Sequence, residues 1–545
     1  MFWFSDTVAD PDLWGHIRFG QAIIRAGSVV QADIYSYRTS GQRWINHEWL
    51  AEVIFARLYN LSGPVYLVGF KVLLSMLLIG LSYIHLVRRG LGPYRSVLLL
   101  FLICIPYRMG LGTIRPQIFT YLLFFVELLL LDRAEIGRER WLWVLPFVMT
   151  IWVNLHGGVL AGVGVLGIWI AARSLVLGDE PGRASRRLGL MLHLGLIGLA
   201  CTGALLVNPY RADLVLFLLR TATVPRPEIR EWVPVALMSL PGLLYLGLIM
   251  IGIAGLVASR RRRKPETIVI FAVAAVLPLI SNRHYPLFAL TLVVLGGEHL
   301  ADVWNRRWPP KWSRAGRSHW TCAGSILVSL VLLGLSFSRL GCIRVESFYF
   351  NFPARAVALL KQSGVHANMA VPFDWGEYVI WHLGPNVKVS MDGRRETVYS
   401  DETYRQSRDF EQGTGAWDAL LKTSRTDLVL TPNDSPTANL LSRAGGWIPL
   451  YQDSCCLIFV REGFAELGRI LDQNASTLPE NGHGLCFPAP RQSSSSVRLK
   501  LEGIVSGRSY RMPEHGPPRE GPVAFVGGKP PWYDEVLVLV PKDRK

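Results

Sequence analysis

The sequence predicts a mainly α-helical, polytopic membrane protein of about ten transmembrane helices with a C-terminal extracytoplasmic α/β domain. Three observations predict it. Half of the 545 residues are hydrophobic and only 18% are charged, a balance that goes with bilayer-spanning segments. The charge falls in short clusters between long apolar stretches. After about residue 340 the apolar runs shorten and alternate with polar residues, the pattern of strands and short helices in a water-facing domain.

Residues 1–63 are too polar to span and read as an external loop carrying two amphipathic helices, "DLWGHIRFGQAIIRAG" and "NHEWLAEVIFARLYNL". Their apolar faces suit the plane of a membrane surface. Trp14, Trp44 and Trp49 fit the interfacial belt, where an aromatic ring keeps one wet edge. Asp10 is placed to cap the first helix, with Pro11 as its first residue and Asp12 as a favourable charge at its positive end.

Residues 64–340 form the transmembrane domain. Its apolar segments centre on 64–87, 96–112, 117–131, 141–155, 159–177, 188–207, 239–258, 267–281, 286–302 and 320–338. If all ten cross, every strongly basic connection lies on one side: Arg88, Arg89 and Arg95; Arg133, Arg138 and Arg140; Arg183, Arg186 and Arg187; "SRRRRK" at 259–264; and Arg306, Arg307, Lys311, Arg314 and Arg317. That side should be cytoplasmic. The opposite face collects residues 1–63, the turns "RMGLGTIRPQ", "NLHGG" and "SNRHY", the long "NPYRADLVLFLLRTATVPRPEIREW" and the chain after 340. Motif-like sequence gathers there, so that face reads as the functional one. The plainer alternative is that its Arg and His residues snorkel to the interface while Asn, Gly and Pro make turns.

The net charge of +16, from 57 Lys+Arg against 41 Asp+Glu, is accounted for by those loops, so no nucleic-acid partner is expected. Seven cysteines form no CxxC or Cys/His pattern. Cys104, Cys201 and Cys322 lie in apolar runs as packing residues, whereas Cys342, Cys455, Cys456 and Cys486 leave room for one disulfide whose partners the sequence does not specify.

Residues 341–475 read as the extracytoplasmic α/β domain. "ANMAVPF", "VKVSMDG", "TDLVLTP" and "CLIFVRE" are its strands, "PARAVALLKQSG" and "TANLLSRAGG" its helices. "DWGEYVIWHLG" is an aromatic amphipathic stretch suited to core packing, to the membrane part or to a glycan, and "MDGRRE" either places Asp392, Arg394 and Arg395 on a loop after a strand or is a "DG" turn with solvated charges. Residues 476–545 form a linker and weakly ordered tail with "RQSSSS" and "EHGPPREGP", ending near a strand-like "DEVLVLVP".

Taken in order, "DPDLWGH", "ADIYSY", "HEWLAEV", "RPQ", "NLHGG", "NPY" and "EW", followed by "FDWGEYVIWHL" and "MDGRRETVY", resemble a group of bacterial membrane glycosyltransferases of the GT-C superfamily. The likeness covers roughly residues 9–463. It implies a GT-C-like fold in a bacterial inner membrane, a polyprenyl-phosphate-linked sugar as donor and a lipid or cell-surface glycan as acceptor. It also implies a catalytic carboxylate in the first external loop, which Asp10 and Asp12 match. In the group that loop follows a first transmembrane helix, whereas only "MFWFSDTVA" stands before it here; the expectation is that the true start lies upstream. A second departure is Gly15, where the group tends to carry another aromatic. No nucleotide-sugar pocket is implied, in keeping with the absence of a GxGxxG or Walker pattern.

Such a transfer needs a base for the acceptor hydroxyl and positive charge for the departing phosphate. Asp10 is the preferred base, because Asp12 could instead orient the acceptor or hold a divalent cation. His16 falls six residues past Asp10, and His47 and Glu48 open the second amphipathic helix, as further substrate-binding candidates. Arg115, His156, Arg211, Arg230, Arg283 and His284 lie at the outer ends of membrane segments as candidate phosphate contacts, Arg115 and Arg283 foremost. The alternative is a non-catalytic scaffold or transporter of lipid-linked glycans. A transporter would show broken helices, internal repeats or mid-membrane charges, none of which is clear here.

Overall fold

The computed structural model of the protein describes residues 1–135, 137–176, 184–222, 224, 226, 229, 231–309, 319–345, 351–423, 425–462 and 485–488. Its helices are α1 (Phe2–Ser5), α2 (Pro11–Ala26), α3 (Trp49–Ser62), α4 (Pro64–Arg88), α5 (Pro93–Leu111), α6 (Gln117–Glu135), α7 (Leu145–Leu155), α8 (Val159–Val176), α9 (Ala184–Ala204) and α10 (Ala212–Thr221). They continue with α11 (Leu240–Ala258), α12 (Pro265–Val276), α13 (Tyr285–Arg307), α14 (His319–Arg339), α15 (Ala354–Ser363), α16 (Gly376–Leu383), α17 (Asp401–Gln412), α18 (Ala419–Thr423) and α19 (Pro436–Leu441). Two compact units result, Met1–Phe4 with Phe70–Leu333 and Ser5–Gly69 with Gly334–Lys545.

The first is a membrane unit. A helix stands at each of the ten apolar segments, and among the described residues four helical stretches are long and apolar enough to cross a membrane: Pro64–Arg88, Pro93–Leu111, Leu240–Ala258 and Asn282–Arg307. Two of the others, α7 and α12, are shorter for visible reasons. Helix α7 begins only after a 3-10 turn, Glu139–Val144, and α12 gives way to another at Leu277–Leu279, around Pro278. Helix α13 is buried around most of its circumference and packs against α5, α6, α11 and α12, which makes it the central helix of this unit. At one end of these helices basic side chains meet acids: Arg89 pairs with Asp132 and Glu298, Arg173 with Glu266 and Lys264 with Glu135.

The second, mixed unit is built on a five-stranded sheet. Strands β1 (Ala367–Ala370), β2 (Val387–Val389), β3 (Leu428–Pro432), β4 (Trp447–Gln452) and β5 (Cys456–Arg461) lie in the order β2-β1-β3-β5-β4. Two pairings are parallel, β1 with β2 and with β3, and need crossovers, supplied by α16 and by α17 with α18; β5 then runs antiparallel to β3 and β4. Phe410, Leu420, Val429, Leu441 and Phe459 form its core on one face.

Two expectations change here. Residues 5–69 belong to the same compact unit as the chain after 334 rather than standing as a separate loop. Helix α2 turns its apolar face to protein, packing on α3 and α16, and Trp14 and Trp44 are buried at 1% and 2% exposure instead of lying in an interfacial belt. Trp14 stacks on Phe487, with ring centroids 4.1 Å apart, and meets Tyr378 edge-on at 4.8 Å. Residues 7–9, 343–345 and 485–487 are joined by β-bridges at Val8, Arg344 and Cys486, and a disulfide links Cys342 to Cys486. The tail from 489, including "RQSSSS" and "DEVLVLVP", lies outside the described residues.

A carboxyl at the end of α17 makes this unit sensitive to pH. Burial pushes Glu411 up to about 7; the backbone N–H of Phe373, which it accepts at 2.6 Å, opposes this, and Asp374 adds to it. The folded pKa exceeds the unfolded one, so the folded state binds the extra proton and stability falls as pH rises from about 4.5 towards 7. Glu411→Gln should therefore raise the melting temperature by a few degrees at pH 8 and by little at pH 5 in detergent-solubilised protein. Equal shifts at both pH values would show that this carboxyl does not titrate there.

Candidate functional site

Asp10 stands in extended backbone just before α2, and its Oδ1 accepts the N–H of Asp12 at 3.2 Å. With Pro11 as the first helical residue this is a helix start, and the buried Asp10 side chain serves it. Asp12, half-buried, is turned to another purpose. Its Oδ1 and Oε1 of Glu377 converge on Gly393, lying 2.5 Å and 2.9 Å from where a Cβ on that glycine would stand. A side chain at residue 393 would displace both carboxyl groups.

Gly15 completes the arrangement. Its N–H donates to Glu377 Oε2 at 3.0 Å, and a Cβ there would overlap the Glu377 carboxyl. This accounts for the glycine where the resembled group carries an aromatic: the carboxyl occupies the space an aromatic would need. Burial, followed by the charges of Asp12 and Asp392, drives the Glu377 pKa well above the usual carboxylate range against the pull of Arg394. Gly15→Ala should destabilise the protein by about 1–3 kcal/mol through overpacking, read as a lower midpoint in thermal unfolding; unchanged stability would mean that Glu377 moves aside freely.

Beneath this pair lies a closed ionic network. Arg394 holds Asp392 with two bonds, Nε to Oδ1 at 2.8 Å and Nη2 to Oδ2 at 2.7 Å, and reaches Asp33 Oδ1 with Nη1 at 2.7 Å. Tyr399 donates to Asp392 at 2.7 Å, and Thr39 and the backbone of Tyr35 and Ser36 donate to Asp33. The Arg394 guanidinium sits within 5.2 Å of the rings of Phe19, Tyr35 and Trp44. The stretch expected to be a solvated turn is thus a buried anchor, with Asp392 fully enclosed. Arg395 adopts φ 38° and lies over the Tyr404 ring at 3.9 Å.

The histidines cluster with two glutamates. His16 Nδ1 lies 3.7 Å from Glu52 Oε1 and 3.9 Å from Glu48 Oε2, His47 Nε2 lies 3.5 Å from Glu48 Oε1, and Asn46 donates to Glu52 at 2.6 Å. Burial lowers the His16 pKa, but the Glu52 bond and the charges of Glu48, Glu52 and Asp12 outweigh it and leave the imidazole above its usual value. Burial likewise raises Glu52, and His16 and Asn46 pull it back. Among the described residues no three His, Cys, Asp or Glu side chains are arranged to hold a metal ion.

The cations of the membrane unit divide into two groups. Arg115 Nη1 pairs with Glu231 Oε2 at 2.8 Å, while the Arg283 N–H donates to the Glu231 carbonyl at 2.9 Å. The guanidinium of Arg283 lies 4.3 Å from the ring centroid of Trp232, and that of Arg226 lies 3.9 Å from the same ring. Arg115 and Arg283 are therefore brought together through "EW", and Arg226, which sequence reading passed over, joins them. His284 follows at the end of the same turn, before α13. The second group is the "NLHGG" turn: Trp152 donates to Thr120 Oγ1, and the Nδ1 of His156 accepts from the Gly158 N–H at 3.0 Å and meets Thr120 Oγ1 at 2.8 Å. Asn154 reaches the carbonyl of Val207 at 2.8 Å, next to "NPYR", where Arg211 adopts φ 52° ahead of α10. Arg230 lies outside the described residues.

No protein-family model matches the sequence, and no curated protein matches it. Solved structures do. The apo oligosaccharyltransferase of Archaeoglobus fulgidus is 13% identical, with a TM-score of 0.49 over 78% of this chain and 66% of its own. ArnT from Cupriavidus metallidurans bound to undecaprenyl phosphate is 14% identical, with a TM-score of 0.48 over 86% and 96%. The arabinofuranosyltransferase AftD from Mycobacteria is 16% identical, with a TM-score of 0.47 over 84% and 39%. The chain thus spans just under two thirds of the length of the first of these and well under half of the third. All three likenesses lie at or below 16% identity and a TM-score of 0.49. Such distant likenesses leave the chemistry to this chain's own residues.

Proposed function

We propose that the protein is a multi-pass membrane glycosyltransferase that moves a sugar from a polyprenyl-phosphate donor to a lipid or cell-surface glycan, with Asp12 as general base. The observation that carries this reading is the convergence of half-buried Asp12 and buried Glu377 on Gly393. Burial favours the protonated form of Glu377, which lessens the negative charge beside Asp12. In the proposed step the acceptor hydroxyl gives its proton to Asp12 as its oxygen bonds to the anomeric carbon. The bond from that carbon to the phosphate oxygen breaks, and its electron pair leaves with the polyprenyl phosphate.

Fixed cations are what a departing phosphate needs, and the membrane unit by itself gathers Arg115, Arg226 and Arg283 around Glu231 and Trp232. We assign ten crossings, the basic loops to the cytoplasm and the mixed unit to the outside. The Cys342–Cys486 disulfide supports that side, since such bonds persist in oxidising compartments.

The test is a panel of radiolabelled polyprenyl-phosphate sugars offered to membranes containing the chain. Label should move to a lipid or glycan fraction from one donor and not in membranes lacking the protein. Donors that bind yet keep their label throughout the panel would replace the transferase with a scaffold or carrier of lipid-linked glycans.

A further inference from the structure

A cleft of about 230 Å³ in the mixed unit takes no part in this chemistry. Three cations line it, Arg18 and Arg25 from α2 and Lys388 from β2, together with apolar Ile34, Ile380 and Val387, and no Asp or Glu is among its lining residues. Arg18 and Arg25 stand seven residues apart, two turns along one face of α2. The Arg18 guanidinium donates to the carbonyl of Gly384, itself in the cleft wall, at 3.3 Å, and the Lys388 ammonium to Ser40 Oγ at 3.2 Å. Among the described residues neither Arg25 nor Lys388 forms an ion pair. Like charges gathered around one hollow repel each other, and an anion bound among them relieves that repulsion.

Size and apolar character narrow the ligand. Pockets that enclose whole drug-sized molecules run to about 300–1,000 Å³, so this one suits a head group rather than a whole lipid or glycan. Ile34 stands beside the cations with 54% of its surface exposed. Cations next to an exposed aliphatic side chain match a molecule with an anionic head and an apolar tail. We infer that this cleft binds the phosphate head of an anionic phospholipid, its acyl chains leaving past Ile34. The site is separate from the Asp12 chemistry and stands whether or not the protein is a transferase.

The full chain in uncharged detergent is titrated with dioctanoyl phosphatidylglycerol, dioctanoyl phosphatidylcholine and inorganic phosphate by calorimetry. Phosphatidylglycerol should bind, the other two weakly. Arg25→Gln combined with Lys388→Gln should weaken phosphatidylglycerol binding by about tenfold or more, and Arg25→Gln alone, at an exposed position that folding does not need, by several-fold. Arg260→Gln with Arg261→Gln, in the basic "SRRRRK" loop, should leave that binding step unchanged. Wild-type affinity in the double variant at Arg25 and Lys388 would overturn the site, and inorganic phosphate binding as tightly as the lipid would overturn the lipid as its ligand.

Discussion

Asp12→Asn lowers sugar transfer by roughly 10²- to 10⁴-fold, the range a well-placed general base contributes, while the protein folds and inserts normally. The amide keeps the shape of the carboxylate and loses the ability to take a proton. The charge removed from the start of α2 is a half-exposed one, worth about 0.3–1 kcal/mol to the helix, too little to unfold the unit. Asp10→Asn behaves differently. Its side chain accepts the Asp12 N–H as a helix cap, Asn caps a helix about as well as Asp, and transfer therefore stays near wild type. Initial rates per inserted protein, measured with the donor that the panel identifies, separate the two. The sequence alone favours Asp10 as the base; we propose Asp12 because Asp10 is buried and caps α2. Equal losses in both variants would remove the distinction between cap and base.

Arg394→Met destabilises the mixed unit by about 3–5 kcal/mol, the usual penalty for leaving a buried charge without its partner. Two carboxylates lose their counter-ion at once, since Asp33 and Asp392 are both fully buried and both bonded to Arg394. The effect crosses the chain: Asp33 belongs to the segment before α3, and Asp392 follows β2. Chemical unfolding of purified protein, followed by tryptophan fluorescence, reads the loss, because Trp44 packs against this guanidinium. Arg394→Met combined with Asp33→Asn and Asp392→Asn should recover much of it, as no uncompensated charge then remains. A loss below about 1 kcal/mol for Arg394→Met, the level of an exposed ion pair, would contradict the network's role.

The apolar helices were legible because a long apolar run has few other ways to be stable, and a helix stands at each predicted segment, four of them long and apolar enough to cross a membrane among the described residues. Four of the five strands were legible from alternation. The fifth, β4, was not: "WIPLYQ" carries Pro449 and lies half-exposed at the sheet edge, where neither burial nor donor groups enforce a pattern. Helices α2 and α3 could be read, but not their partner, since an apolar face that suits lipid also suits protein. Gly15 and Gly20 were the available signal. Each marks backbone that comes too close to another group for a side chain, Glu377 at one and the Glu52 carbonyl at the other. Glu377 itself was hidden, because its neighbours on α2 lie at the opposite end of the sequence. The same distance concealed the ionic role of "MDGRRE", which by local chemistry is an ordinary turn. Arg226 escaped because only the fold lays it on Trp232.

The measurement that bears most directly on the proposed mechanism is chemical rescue. Asp12→Ala removes the carboxylate and leaves a space beside Glu377 and Gly393, and formate added to the assay can occupy that space as a replacement base. Transfer by the Asp12→Ala chain should rise with formate concentration, while the Asp10→Ala chain should transfer without formate and gain nothing from it. An Asp12→Ala chain that transfers at the wild-type rate with no formate present would show that no base is needed at this position.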